Sequence, residues 1–526
     1  MSEESKITGR AGVVGISTLA SRILGLVRDI AMSTFFGTGI VAEAFYVAFM
    51  IPNLLRRLVG EGSLTVAFIS VFSKLRQDEG EEVARKFMES FWTLMMVVLA
   101  GMTVLGMVFS QEIVYIFTNP KFRANTEQFD LAVTMTRQMF PYLFLIGLVA
   151  LSMGILNSYK KFFAPAFHPA LLNAAWIACV LLLHGRFEQP GLAIIIGVLI
   201  GGVLQLALQV PDLWKIGVRF IPRFNFSHPA LKRLGILYVP SAFAIGIVQI
   251  NVVIANYFIT AFPGARSQFF YANRFEEFSY AIFSLAVATA VLPTLSDQAG
   301  EKNLEAVRDT LSFSLRLVTF IIIPASIGLI FISWPLIHVV LEHGKFTATD
   351  TAATAAMLMI FCMGLWALAG HRLVIQAYYA VEDMITPLWA ASVGMFVTIV
   401  GCWSLTKIFV IDRAGVPLAI SLATTVNFLI LWAKLPSRIG KSDLKPLYRT
   451  IRVSFVSSLP MVGIVLAINI LPLWKESGKL LIKIPVLTLE VAAGALAYLL
   501  VAKLMKAQEL NILFDAFMKR VKKSGE

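Results

Sequence analysis

Charge is scarce in this chain. Of 526 residues only 15% are charged, while 58% are hydrophobic. A soluble domain carries about 25% charged and about 45–50% apolar residues. The shortage excludes a solvated surface of ordinary size and leaves an integral membrane protein. Cysteine is scarcer still. Cys179, Cys362 and Cys402 all fall in apolar runs, and none belongs to a CxxC pair. That spacing offers neither a disulfide framework nor a metal site. A GxxxxGK[ST] stretch is missing as well, so ATP bound on a P-loop is not expected, nor any other cofactor. No cleavable signal is expected either, because the first apolar run carries charges where a signal peptide needs an unbroken core.

What is present is a series of continuous apolar runs. Strands of a membrane barrel alternate over about ten residues, whereas these runs continue for about twenty or more and read as helices. About fourteen spans follow: 11–36, 40–73, 88–110, 129–157, 166–184, 191–214, 235–261, 268–298, 312–341, 351–380, 386–409, 414–434, 451–471 and 482–505. The expected fold class is an all-α polytopic membrane protein.

The net charge of +13 suggests positively charged cytoplasmic loops sooner than nucleic acid. With the N-terminus inside, roughly 28 of the 45 Lys and Arg fall in cytoplasmic segments and roughly 10 in external ones. Both termini are therefore expected in the cytoplasm, the last within the basic tail "KRVKKSGE". Seven arginines remain inside spans: Arg22, Arg28, Arg56, Arg57, Arg137, Arg274 and Arg372.

The chain also repeats itself. "AFISVFSKLRQDEGEEVARK" near 67–86 returns as "AVLPTLSDQAGEKNLEAVRD", with Ala67, Ser73, Glu82 and Arg85 falling on Ala290, Ser296, Glu305 and Arg308. "GILNSYKKFFAPA" near 154–166 parallels "VIQAYYAVEDMITPL" near 374–388 at nearly the same offset. The offset spans six helices, which makes a parallel repeat about an axis along the membrane normal. The expected units are 1–218 with six spans, 219–434 with six, and 435–526 with two more and the basic tail.

The first span holds "SRILGLVRD", with Arg22, Arg28 and Asp29 in an apolar run. At 100° per residue, Gly15, Thr18, Ser21, Arg22, Gly25, Arg28 and Asp29 share one arc of about 140°. Such a stripe does not face lipid; it faces a water-filled cavity or another helix. Arg22 and Asp29 lie nearly in line but seven residues apart, too far for a tight pair. Arg28 lies at the other edge with Ser21, and Arg22, in line with Asp29, is expected to be partly structural. Gly25 between them marks a bend or a close contact.

In the second span, Pro52 removes a backbone donor. Arg57 and Glu61 are spaced to pair at i,i+4, which leaves Arg56 freer. Glu43 is either a helix N-terminal acid that suits the dipole or a gating partner. In the eighth span Glu277 stands i+3 from Arg274. The tenth span carries His371, which reads first as a packing residue, and Arg372. Arg137 opens the fourth span, where its side chain can snorkel outward. If the two halves face one cavity, that cavity is positive. Arginine keeps its charge and binds phosphate in bidentate fashion, so an anionic, phosphate-bearing amphiphile is the natural cargo.

"SRILGLVRD", "AFYVAFMIPNLLRRLVGEGSL", "SYKKFFAPAF", "GVLQLALQVPDLWKIG", "YANRFEEF" and "EHGKFTATD" together resemble the MurJ (MviN) lipid II flippases, within the multidrug/oligosaccharidyl-lipid/polysaccharide exporter superfamily. The resemblance covers nearly the whole chain and is weakest over the last two helices. It implies two lobes around a central cavity, and a two-helix extension forming a lipid groove. It implies a transporter, not an enzyme, that moves undecaprenyl-pyrophosphoryl disaccharide-pentapeptide (lipid II) from the inner to the outer leaflet of the bacterial inner membrane for peptidoglycan synthesis. Implied substrate-binding positions are Arg22, Arg28, Asp29, Arg56, Arg274 and Arg372. Implied gating or supporting positions are Ser21, Gly25, Glu43, Arg57, Glu61, Ser267 and Glu277. Glu43 stands where the family usually has aspartate, and Arg372 where it often has lysine. Some members bind sodium through carboxylates of the second lobe. Spans 235–261, 386–409 and 414–434 contain no Asp or Glu, so no such site is expected. The implied partners are lipid II and membrane lipids, with peptidoglycan-synthesis proteins as further candidates and no nucleic acid. The expected energy source is the membrane potential, acting on the positive cavity charges. The alternatives are a flippase for another polyprenyl-linked glycan and a multidrug exporter of the same superfamily. The latter would favour intramembrane carboxylates where arginine predominates here.

Overall fold

The structure, a computed structural model, describes residues 3–59, 63–189, 191–218, 221–281, 286–475 and 478–514. Glu61 and the basic tail lie outside the described residues. Apolar sequence in this amount can satisfy its backbone inside a membrane only by helix or closed barrel, and every regular element among the described residues is helical.

By contacts the chain forms two units. The first comprises residues 1–267 together with His343–Phe346. Its helices are α1 (Glu3–Phe36), α2 (Ile40–Val59), α3 (Ser63–Asp78), α4 (Glu81–Val108), α5 (Ser110–Phe117), α6 (Pro120–Ala124), α7 (Thr126–Ser158), α8 (Phe163–Leu183), α9 (Leu192–Lys215) and α10 (Pro229–Ile259). α11 (Ala265–Tyr280) starts in this unit. The second unit comprises 268–342 and 347–526. It continues α11 and adds α12 (Ala286–Gly300), α13 (Leu304–Leu341), α14 (Ala348–Ala380), α15 (Ile385–Lys407), α16 (Gly415–Lys434), α17 (Pro436–Ile439), α18 (Lys445–Asn469) and α19 (Leu480–Leu504). α10 packs with the first unit: Asn256 donates to the Phe117 carbonyl at 2.8 Å, and the Thr260 hydroxyl just beyond α10 accepts from the Asn119 N–H at 3.0 Å.

Ten of the described helices are long and apolar enough to cross a membrane. This is a multi-pass membrane protein. The other four expected spans fall on α1, α2 with α3, α10, and α11 with α12. The expected span 40–73 divides into α2 and α3, and 268–298 into α11 and α12.

The first unit's core stacks Phe68, Phe72, Phe87 and Phe91 between α3 and α4, with centroids 5.0–6.2 Å apart. The second unit's core gathers Leu365, Leu373, Val374 and Tyr378 of α14 against α13 and α16. Tyr378 donates to the Leu431 carbonyl at 2.8 Å, which gives its buried hydroxyl a partner.

The two helix ends that carry the "GILNSYKKFFAPA" pattern share a backbone form, one that also closes α9 and α19. α7 ends with Lys160 at φ 58° and a bond from Lys161 N–H to the Leu156 carbonyl. α14 ends with Glu382 at φ 59° and a bond from Asp383 N–H to the Tyr378 carbonyl. The same left-handed stop thus closes both copies of the "GILNSYKKFFAPA" pattern, with side chains of opposite charge.

Each part of "EHGKFTATD" has a local task. Thr347 and Asp350 form the capping box that starts α14. Glu342 accepts from Thr351 at 2.6 Å. His343–Phe346 packs with the first unit, where Lys345 N–H donates to the Thr34 carbonyl at 2.9 Å. Gly37 and Gly344 both have φ 58°. A Cβ on Gly37 would stand 2.5 Å from the Lys345 oxygen, and one on Gly344 would stand 2.2 Å from the Thr34 oxygen. Beside this backbone contact His184 packs on Phe35 and Phe36.

Candidate functional site

The wheel reading of α1 places its charges on one stripe, and burial divides the helix accordingly. Ile16, Leu19, Ile23 and Val27 are exposed on the outside of the unit, while Arg28 and Asp29 are only 4% and 2% exposed. α8 covers the buried stripe. Arg28 Nε and Nη2 donate to Asp29 Oδ1 at 3.0 and 2.6 Å, and Nη1 donates to Asn173 Oδ1 at 3.0 Å. The guanidinium also lies 4.5 Å from the centre of the Trp176 ring. Asn173 in turn donates to the Ser21 carbonyl at 3.0 Å, and its amide lies beside Gly25, where a Cβ would stand 3.6 Å away, an ordinary contact that does not require glycine.

This differs from the expectation in one respect. Asp29 pairs with its chain neighbour Arg28, while Arg22, half-buried, has no partner among the described residues. Neighbouring residues on a helix point about 100° apart, yet a long guanidinium arm bends across that angle once Asn173 and Trp176 wall the far side. Asn173 and Trp176 were not foreseen. The signal for Asn173 was available, as it is the one carboxamide in span 166–184.

In α2, Arg56 donates to Asn53 Oδ1 at 3.2 Å. Arg57 is exposed at the end of the helix. The expected pair with Glu61 falls outside the described residues. His168 and Gln205, on α8 and α9, meet at 2.9 Å. Glu43 is 2% exposed and accepts from the Ser267 N–H at 2.7 Å and the Ser267 hydroxyl at 2.8 Å. Arg266, also buried, donates to the Tyr46 carbonyl at 3.4 Å. Glu43 is thus a partnering acid that binds the first turn of α11. Arg266 was counted among external loop charges and was missed for that reason. Arg137 Nε reaches the Met107 carbonyl and the Ser110 hydroxyl, both at 3.3 Å.

In the second unit, Arg274 pairs with Glu277 at 3.5 Å, the partner its spacing offered, and lies 5.6 Å from the Phe270 ring. Both side chains keep solvent access. Glu276 is buried and accepts from Asn273 at 3.1 Å. Arg372 is exposed and sits 6.0 Å from the Tyr280 ring. Of the arginines within spans, Arg274 and Arg372 of the second unit are accessible, while in the first unit Arg22 is half-buried and Arg28 is buried and oriented. Such groups bind oxyanions.

The family model for lipid II flippase MurJ matches residues 32–483. The chain belongs to this family. It is 32% identical over 426 residues to the lipid II flippase MurJ of Burkholderia cenocepacia, covering 80% of this chain and 82% of that one. It is 31% identical to the probable lipid II flippase MurJ of Vibrio cholerae, with 86% of each chain covered. Among solved structures it is similar to a lipid II flippase MurJ in an inward closed conformation, with TM-score 0.76, 26% identity, and coverage of 93% of this chain and 98% of that chain. An inward-facing multidrug transporter of the MATE family shares the fold, with TM-score 0.68, 14% identity, and coverage of 80% and 94%. MurJ membership places the chain in the multidrug/oligosaccharidyl-lipid/polysaccharide superfamily, among transporters.

Proposed function

We propose that this chain is a lipid II flippase of a bacterial inner membrane, with both termini in the cytoplasm, and that it works by alternating access. The family match over 32–483 supports the cargo. The observation that carries the binding chemistry is Arg28. A guanidinium has five N–H donors. Three of Arg28's are taken by Asp29 and Asn173, and the remaining two have no acceptor among the described residues. They belong to the two terminal nitrogens, the pair that grips a phosphate in bidentate fashion. In this reading Arg22, Arg56, Arg274 and Arg372 supply mobile positive charge to the diphosphate, and Arg28 supplies a fixed geometry. Undecaprenyl tails stay in lipid along α18 and α19. No ATP is needed, since the membrane potential acts on the charges that move.

The test is headgroup exposure in the outer leaflet, measured with reconstituted vesicles and lipid II. Arg28→Ala is expected to lose exposure by at least about tenfold, the effect of about 1.4 kcal/mol on a rate. Full retained flipping would sink the assignment.

A further inference from the structure

Glu490 stands in the middle of α19 with no exposed surface, and neither carboxyl oxygen has a hydrogen-bond partner among the described residues. The buried face of α19 runs Lys483, Leu487, Glu490, Gly494, Tyr498, Ala502, a single stripe at helical spacing. It packs on α18 and α13. Neither neighbour offers Glu490 a charge. α13 has no titratable residue between Arg316 and His338, and α18 has none between Arg452 and Asn469. On α19 itself Lys483 and Tyr498 stand seven and eight residues away, about 10–12 Å along the axis.

Those two groups are already engaged. Lys483 Nζ lies 2.7 Å from His338 Nε2, and His338 Nδ1 lies 2.7 Å from Glu342. Tyr498 donates to the Phe320 carbonyl at 2.6 Å. Beyond it, Glu509 accepts from Thr450 at 2.8 Å and pairs with Arg316 at 3.7 Å. α19 is therefore fastened to α13 on both sides of Glu490, and Glu490 is the one titratable group on α13, α18 or α19 between the two fastenings. An ionised carboxylate there would have no donor and no counter-charge, which costs several kcal/mol. A leucine would fill the stripe at no such cost, and an intramembrane acid is in the first instance a functional group.

We propose that Glu490 is a proton-binding site inside the membrane, and that its proton holds α19 against α13 and α18. Loss of the proton to water leaves a carboxylate that draws water into the seam and loosens α19. The link to transport rests on the flippase reading, because α18 and α19 are where that reading places the lipid tail.

The experiment pairs two measurements on the full chain. Infrared titration of the purified protein follows the protonated-carboxyl stretch in the native sequence and in Glu490→Gln. Lipid II exposure in vesicles follows flipping across the same pH range. The native-minus-Glu490→Gln difference spectrum is expected to show a protonated-carboxyl band at neutral pH that is lost as pH rises, the buried Glu43 and Glu276 contributing equally to both proteins. Native flipping is expected to fall about tenfold per pH unit beyond the midpoint, whereas Glu490→Gln, and equally Glu490→Leu, stay flat. Identical infrared titrations for the native protein and Glu490→Gln would overturn the proton site. A native pH profile retained by Glu490→Gln would overturn its coupling to transport. A native protein that flips no lipid II at any pH defeats the flippase reading instead, and the infrared titration still decides the proton site.

Discussion

At the scale of single residues, the buried Arg28–Asp29 pair is held in place from α8, by Asn173 and Trp176. Arg22, Arg28 and Asp29 were legible because a helix wheel needs only the order of residues. The Arg28–Asp29 bond was not, because adjacent helix positions do not ordinarily face each other, and the residues that make it possible sit 145 and 148 positions away on α8. Asn173 is the hinge of this arrangement, since it accepts from Arg28 and donates to the Ser21 carbonyl. Asn173→Ala is expected to leave one buried Arg28 N–H without its acceptor and to remove the second bond on the Ser21 carbonyl, at a cost of about 1–3 kcal/mol. Combined with Arg28→Ala, the loss should be smaller than the sum of the two single losses. Thermal unfolding of the four proteins in detergent measures this. Strict additivity would mean that the bond has no energetic weight.

At the scale of elements, the helices were legible from apolar length, while their ends were less so. Lys160 and Glu382 take a left-handed backbone that glycine would adopt more easily, so neither stop carried a glycine signal. The α14–α15 link gains its order from Asp383 instead. Its carboxyl accepts from the Thr386 N–H at 3.0 Å, the Thr386 hydroxyl at 2.7 Å and the Ile385 N–H at 3.1 Å, and pairs with Arg438 of α17 at 2.7 Å. Burial works against that charge, but the Thr386 donors and Arg438 outweigh it and hold the carboxyl below the usual aspartate range. A lowered value means stability that is complete above the unfolded-state value and lost as pH falls through the folded one. Asp383→Asn should therefore cost about 1 kcal/mol at neutral pH, and the gap to the native protein should close as pH drops below about 4. Melting temperatures measured across that range decide it, and a gap independent of pH would remove the ion pair from the explanation. The link between α13 and α14 makes a sharper demand. Gly344→Ala places a side chain where the Thr34 carbonyl stands and asks alanine to hold φ 58°. Destabilisation of about 2 kcal/mol or more is expected, whereas alanine at Gly101, mid-helix with open space around it, should stabilise by up to about 1 kcal/mol.

At the scale of the whole molecule, the flippase reading proposed above would make the transport cycle an electrical event wherever a guanidinium group inside a helix moves through the field. An inside-negative potential favours an anionic headgroup moving outward and returns positive side chains inward, so both halves of the cycle gain from the same field. Each elementary charge that crosses the full field contributes about 2.3 kcal/mol per 100 mV, enough to change a rate by up to about fifty-fold. Vesicles with a potassium diffusion potential, negative on the side of the protein's termini, should therefore expose lipid II faster than vesicles without one, and reversal of the potential should slow them below that baseline. Arg28→Ala and Arg274→Ala should each reduce the voltage dependence if those charges move through the field. Glu490→Gln should not, since it replaces a neutral acid by a neutral amide. That difference separates the two inputs: the potential acts on the arginines and pH on α19. A native rate indifferent to the potential would leave the arginines as binding groups alone and require another energy source for the return step.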